Sequence, residues 1–247
     1  MRHRQWHGAN PAARAAASPR GCGLTVRADP LDLFAPNMNI AKILDIHRPS
    51  FSFEFFPPKT EQASERLLTT LKELAALKPA YASVTYGAGG GTRELTHDLV
   101  LKANQITGLT IVSHLTTVGH TRDEVAAILD KYAESGIENI MALRGDPPKG
   151  QDTIERVEGG FDYAKDLVEF IKNRHPQMGI GVAGFPEGHF ACPNRLLEID
   201  HLKAKVDAGA DYICTQLFFD NHDFYDYRER CEMADINVPI IAGIMPI

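Results

Sequence analysis

LTIVSHLTTVGHTRDEVAAILDKYAESGIENIMALR, residues 109–144, changes its hydrophobic period twice. The first seven residues, LTIVSHL, are mostly apolar or β-branched, the composition of a buried strand. Thr121, with Glu124 three positions on, makes a capping-box signature, and the apolar residues that follow recur at helical spacing. Gly136 stands where that helix would end, and NIMALR over 139–144 reads as a second strand. A strand, a helix and a strand of this length predict one βαβ unit, whose two strands must be parallel.

The same unit repeats in both directions. Strands are predicted at 52–56, 81–86, 109–115, 139–144, 179–184, 211–218 and 239–244, with helices near 61–77, 93–106, 121–135, 160–174, 194–208 and 221–234. Alternation with a period of about 30 residues means a parallel sheet, either doubly wound or closed into a barrel. Polar residues gather at the C-terminal ends of nearly all the strands: Glu54, Thr85, His114, Arg144 with Asp146, His189 just beyond the fifth, and Gln216. A barrel brings those ends to one mouth, whereas an open sheet spreads them along an edge. The expected fold is therefore α/β, a (β/α)8 TIM barrel, incomplete and ending after strand 7. A barrel left open in this way exposes its first and last strands as pairing edges.

Composition narrows the function. The chain has 247 residues, 44% apolar, enough for one sizeable core. A net charge of −6 and a pI near 5.9 argue against nucleic acid or an anionic membrane as partner and leave a small molecule. Cys22, Cys192, Cys214 and Cys231 have neither metal-ligand spacing nor the density of a disulfide framework, which fits a reduced, cytoplasmic setting. No apolar run approaches the roughly 18–20 residues needed to span a bilayer. Residues 1–37 read as an extension. Arg2, Arg4, Arg14, Arg20 and Arg27 fall there and no acid precedes Asp29. That pattern matches a transit peptide, or an upstream start ahead of Met38. Residues 38–247 form the expected partial-barrel catalytic domain.

FSFEFFPP, residues 51–58, sets one carboxylate among four phenylalanines. Alternation along a strand points Phe51, Phe53 and Phe55 toward the helices and Ser52, Glu54 and Phe56 into the barrel. Pro57 and Pro58 end the strand just beyond Glu54 and so place it at the mouth. An apolar surround would raise its pKa and suit it to general acid catalysis; the plainer alternative is a glutamate paired with a base at a strand end.

Seven blocks carry a resemblance to a known family: FSFEFFPPKT (51–60), SVTYGAGGGT (83–92), SHLT (113–116), NIMALRGDPP (139–148), FPEGH (185–189), LKAKVDAGADYICTQLFFD (202–220) and GIMPI (243–247). In order and spacing they resemble methylenetetrahydrofolate reductase from about residue 50 onward. The resemblance implies an FAD-bearing barrel that passes a hydride from NADH or NADPH to flavin and then to 5,10-methylenetetrahydrofolate, giving 5-methyltetrahydrofolate. It also implies that Glu54 is the proton donor that helps open the folate ring, and that Asp146 is the flavin-adjacent anion stabilising the resulting iminium cation. It further places Thr85 at a nicotinamide contact. Tyr86, Ala88, His114, Arg144, Gly145, Tyr163, Ala164, His189 and Lys205 fall at flavin contacts, and Gln216 at the folate. A homo-oligomer is implied by the bacterial members.

Four of these assignments have a structural alternative: a turn at Asp146 before Pro147, a core histidine at His114, a solvated charge at Lys205, a lumen hydrogen bond at Gln216. Phe185 stands where the family often has tyrosine, and His201 and Ala204 replace flavin contacts of some bacterial members. The family's eighth strand is expected beyond Ile247. GAGGGT (87–92) lacks the marks of a dinucleotide fingerprint or P-loop and reads as a tight βα loop, while 146–160 reads as a lid or a solvated excursion. Histidines form no metal cluster pattern, and no GxSxG elbow occurs. The alternatives to a reductase are a flavin-free folate or pterin barrel, and a catalytically silent fragment acting by association.

Overall fold

The computed structural model describes residues 38–86, 93–147, 150 and 157–245. Seven strands follow one another in a single sheet: β1 Ser52–Phe55, β2 Tyr81–Val84, β3 Ile111–Thr116, β4 Asn139–Leu143, β5 Gly179–Gly184, β6 Tyr212–Thr215 and β7 Ile240–Ile241. Their order is the chain order, and every neighbouring pair is parallel. The helices are α1 Ile40–Ile46, α2 Glu61–Ala75, α3 Arg93–Thr107, α4 Arg122–Glu134, α5 Ala164–Arg174, α6 Arg195–Asp207 and α7 Asn221–Met233. The expected α/β barrel architecture is borne out, with seven strands of it present.

Local chemistry starts most helices where the sequence signals it. The Thr60 hydroxyl accepts the Ala63 N–H at α2, Asn194 accepts from Leu196 and Leu197 at α6, and Asp220 accepts from His222 at α7. At α4 the capping box forms as predicted, Thr121 and Glu124 each accepting the other's backbone N–H. The fifth helix starts later than expected, at Ala164 rather than near 160, because the Asp166 carboxylate accepts the Tyr163 N–H and fixes the first turn there.

One face of the sheet packs on the helices. Ala82, Val84, Ile111, Leu115, Ile140, Ala142, Ile180, Val182 and Ile213 join Val125, Leu129, Leu167, Val168 and Ile171 in one apolar core. The opposite face carries a second cluster, in which Tyr81 of β2, Val112 of β3, Met141 of β4 and Tyr212 of β6 meet Ile40 and Ile43 of α1. In a flat sheet β2 and β6 would lie about 19 Å apart, four strand spacings. Sharing one small cluster requires the sheet to curl, which makes this inner face a lumen.

Helix α1 was not foreseen. It covers the N-terminal end of the lumen, held by buried Asn139, whose amide oxygen accepts the Ile40 N–H at 3.0 Å and whose amide nitrogen donates to the Met38 carbonyl at 3.0 Å. The strands that fall furthest short of expectation are β6 and β7. β6 ends at Thr215 rather than 218, the Gln216 N–H making the last ladder bond to the Gly184 carbonyl at 2.7 Å, and β7 has two residues, with the Gly243 N–H donated to the Thr215 hydroxyl.

Candidate active site at the C-terminal mouth

The phenylalanine alternation works as predicted. The Phe51, Phe53 and Phe55 rings contact one another on the outer face, at centroid distances of 5.7 and 6.4 Å, which turns Glu54 into the lumen. Register sets Glu54 beside Ser83 of β2, whose hydroxyl donates to Glu54 Oε2 at 3.4 Å. His114 of β3 brings its Nε2 to 3.5 Å from the same oxygen. The carboxylate side chain is half exposed toward the mouth and the imidazole is buried. Its surround is therefore more polar and more open than the apolar pocket expected from the sequence. Lost hydration still raises the Glu54 pKa above the usual carboxylate range, and the Ser83 hydroxyl offsets part of that.

Burial pushes the His114 imidazole down to about 4, so it is neutral at pH 7. The approach to Glu54 is consequently no ion pair at neutral pH, and at 3.5 Å Nε2 makes no hydrogen bond. This has a measurable consequence. Between about 6.5 and about 4 the unfolded chain takes up a proton on this histidine that the folded chain refuses. Stability is then complete above pH 6.5 and is lost as pH falls toward 4. Urea titrations at stepped pH are expected to show that loss, and to show less of it in His114→Gln; equal acid sensitivity in both proteins contradicts the assignment.

At the end of β4 two loops interlock. The Thr117 N–H and hydroxyl both donate to the Arg144 carbonyl, at 3.2 and 2.8 Å. Gly145 follows with φ +87°, and a Cβ there would stand 3.0 Å from Thr116 and Val118 side-chain carbons. Only glycine combines that backbone with that approach. Asp146 comes next, exposed. The Arg144 guanidinium, also exposed, lies 6.0 Å over the Tyr163 ring at the start of α5, beside Ala164.

Beyond β5, His189 is ringed by Phe185, edge-on at 4.7 Å, and Phe190, stacked at 4.6 Å. Its Nδ1 accepts the Ala191 N–H at 3.1 Å, which leaves the ring proton on Nε2. Lys205 is not a solvated charge. Its ammonium donates to the Ala183 carbonyl of β5 at 2.7 Å, and burial pushes its pKa down to about 8 against a partial lift from Glu198. Gln216 is exposed just past β6. Thr85 continues β2, its N–H on the Phe55 carbonyl at 2.9 Å.

Tyr86 is placed differently from Glu54. Its hydroxyl bonds His120 Nε2 at 2.9 Å and its ring packs against the outer core, so the side chain faces the helices. Ala88 lies outside the described residues. No group of metal-ligating side chains occurs among those described. Three contributors were missed in the sequence: Ser83, Tyr212 and Glu198. Ser83 shares a face with Thr85 by alternation, but only pairing register puts it against Glu54; Tyr212 fills the lumen; and Glu198, buried in the first turn of α6, accepts the His189 N–H at 3.1 Å.

A family model for methylenetetrahydrofolate reductase matches residues 39–247. The chain belongs to the methylenetetrahydrofolate reductase family. It is 40% identical to methylenetetrahydrofolate reductase (NADH) 1 of Arabidopsis thaliana over 84% of its own length and 37% of the relative's. It is 41% identical to methylenetetrahydrofolate reductase 2 of Saccharomyces cerevisiae, over 85% of this chain and 37% of that protein. With 5,10-methylenetetrahydrofolate reductase of Escherichia coli it shares 41% identity over 79% of this chain and 64% of the relative. The chain thus spans little more than a third of its plant and yeast relatives within the reductase family. Among solved structures it is similar in fold to a Clostridium thermocellum protein that binds two copies of 5-methyl-5,6,7,8-tetrahydrofolic acid. The TM-score is 0.56 at 17% identity, over 83% of this chain and 69% of the other. An oxaloacetate acetylhydrolase matches equally in fold, with a TM-score of 0.56 at 10% identity, over 85% of this chain and 81% of the other.

Proposed function

We propose that this member of the family takes part in reducing 5,10-methylenetetrahydrofolate to 5-methyltetrahydrofolate with NAD(P)H, through FAD held at the mouth of the lumen. The observation that carries the reading is Glu54: a carboxyl of raised pKa, inside the lumen, open to the mouth. The raised pKa favours its acid form relative to an ordinary carboxylate, and that proton can be delivered to a folate nitrogen when the five-membered ring opens. Asp146 supplies an exposed anion at the same end of the sheet, where a carboxylate stabilises the iminium cation that forms.

The residues present fit the cofactor. Arg144, exposed and steadied over Tyr163, is a cation suited to a pyrophosphate. Gly145 lets the backbone lie flat against the β3–α4 loop, Ala164 keeps the start of α5 small, and His189 offers Nε2–H with stacked aromatic faces. His114 lines the wall beside Glu54, and Lys205 holds the β5 carbonyl. Thr85 stands at the end of β2 for the nicotinamide, with the Tyr86 backbone next to it on the flavin side. Bound FAD would supply the two-electron carrier between nicotinamide and folate. Gln216, exposed beyond β6, presents an amide to the pterin edge. The plant relatives, which are NADH-type reductases by name, favour NADH. A cytoplasmic, homo-oligomeric protein belongs to the same reading; among the described residues no helix is long and apolar enough to cross a membrane.

The test is spectroscopic. The protein loaded with FAD is expected to bleach on anaerobic addition of NADH and to regain its colour with methylenetetrahydrofolate. Folate binding without any flavin absorbance would point instead to a flavin-free folate barrel, and colour that ignores NADH rejects the reductase.

A further inference from the structure

The loop after β5 and the loop after β6 are joined at the mouth by a side chain with no assigned role. Phe185–Gly188 forms a tight turn, with the Gly188 N–H on the Phe185 carbonyl at 3.1 Å and Gly188 at φ +94°. From its tip the Glu187 carboxylate reaches across and accepts the Phe219 N–H at 2.9 Å, a contact spanning 32 positions. The turn is itself anchored from beneath, where buried Glu198 accepts the His189 N–H at 3.1 Å. The β6–α7 loop has few other ties: the Gln216 N–H on Gly184, the Phe218 ring stacked on Phe224 at 4.9 Å, and the Asp220 cap of α7. Phe219 itself is largely exposed.

We propose that Glu187 is a positioning residue for the folate side. Its carboxylate fixes the loop carrying Gln216 against the turn carrying His189, so the two ligand-facing loops keep one spacing. The inference rests on the reductase reading for the roles of Gln216 and His189. The contact between Glu187 and Phe219 stands apart from that reading. A backbone N–H held by a carboxylate is a charge-assisted bond, and the loop it restrains otherwise has to be ordered when folate binds.

The tether is read first in the unliganded chain by amide hydrogen exchange. In Glu187→Ala the Phe219 amide is expected to exchange at least about threefold faster, while Glu187→Gln, whose amide oxygen still accepts, stays near the parent. With FAD and NADH, Glu187→Ala is expected to raise the KM for methylenetetrahydrofolate about threefold to tenfold with little change in kcat, with Glu187→Gln again near the parent. Flavin reduction by NADH should be unchanged, a split that general loosening of the fold cannot produce. Unchanged exchange in Glu187→Ala, or equal damage in both variants, overturns the tether. Faster exchange with an unaltered folate KM overturns the positioning role, and a parent chain that binds no folate removes the reductase reading while exchange still reports on the contact.

Discussion

Glu54→Gln is expected to slow reoxidation of the reduced flavin by methylenetetrahydrofolate by about 10²–10⁴-fold, the usual contribution of a positioned general acid. The substitution preserves shape: the glutamine amide oxygen can still accept from Ser83, 3.4 Å away in the parent, so register and lumen packing are retained. What disappears is a proton that can be given up. Reduction by NADH needs no proton from this position and is expected to proceed at the parent rate. Stopped-flow measurement of the two half-reactions separates the outcomes, and an unaffected folate half-reaction removes Glu54 from the mechanism. The pH dependence has a definite sign. Because the Glu54 pKa is raised and the acid form is required, the folate half-reaction should slow as pH rises through that pKa, and the glutamine variant should lose this limb.

Gly181→Ala is expected to cost about 3 kcal/mol of stability, at the upper end of what overpacking does to a core. Gly181 of β5 pairs with Tyr212 of β6, and a Cβ on Gly181 would overlap the Tyr212 ring. Neither side can retreat. Tyr212 is fully buried among Tyr81, Met141 and α1, and β5 is hydrogen-bonded to a strand on both sides. For a chain of this size the thermal midpoint should fall by roughly 6–12 °C. Tyr212→Leu, which shortens the ring that the new methyl meets, should recover part of the loss when combined with Gly181→Ala. Purely additive losses in the double variant would show that the two positions do not compete for space.

These two positions mark what was and was not legible in the chain. Glu54 could be assigned to the lumen from FSFEFFPP alone, because strand alternation is a local rule and Phe51, Phe53 and Phe55 together mark the opposite face as the apolar one. Gly181 looked like any glycine in a strand; its purpose depends on a tyrosine 31 positions later, which only register places opposite it. Tyr86 illustrates the same limit from the other side. It belongs to a recognisable block, yet alternation from Val84 turns its ring outward to His120. Lys205 on a helix reads equally as a surface charge or an anion partner, and only the fold shows its ammonium on the Ala183 carbonyl.

The chain itself determined the repeating strand and helix, the parallel order, the capped start of α4, and the set of polar residues at the strand ends, since each follows from periodicity or chemistry within a few positions. Tertiary structure decided the plug helix α1, the meeting of Ser83 and His114 on one Glu54 oxygen, and the link from Glu187 to Phe219. Those contacts join residues about 30 to 100 positions apart, and their distances depend on strand register and on how tightly the sheet curls, quantities that no local pattern encodes.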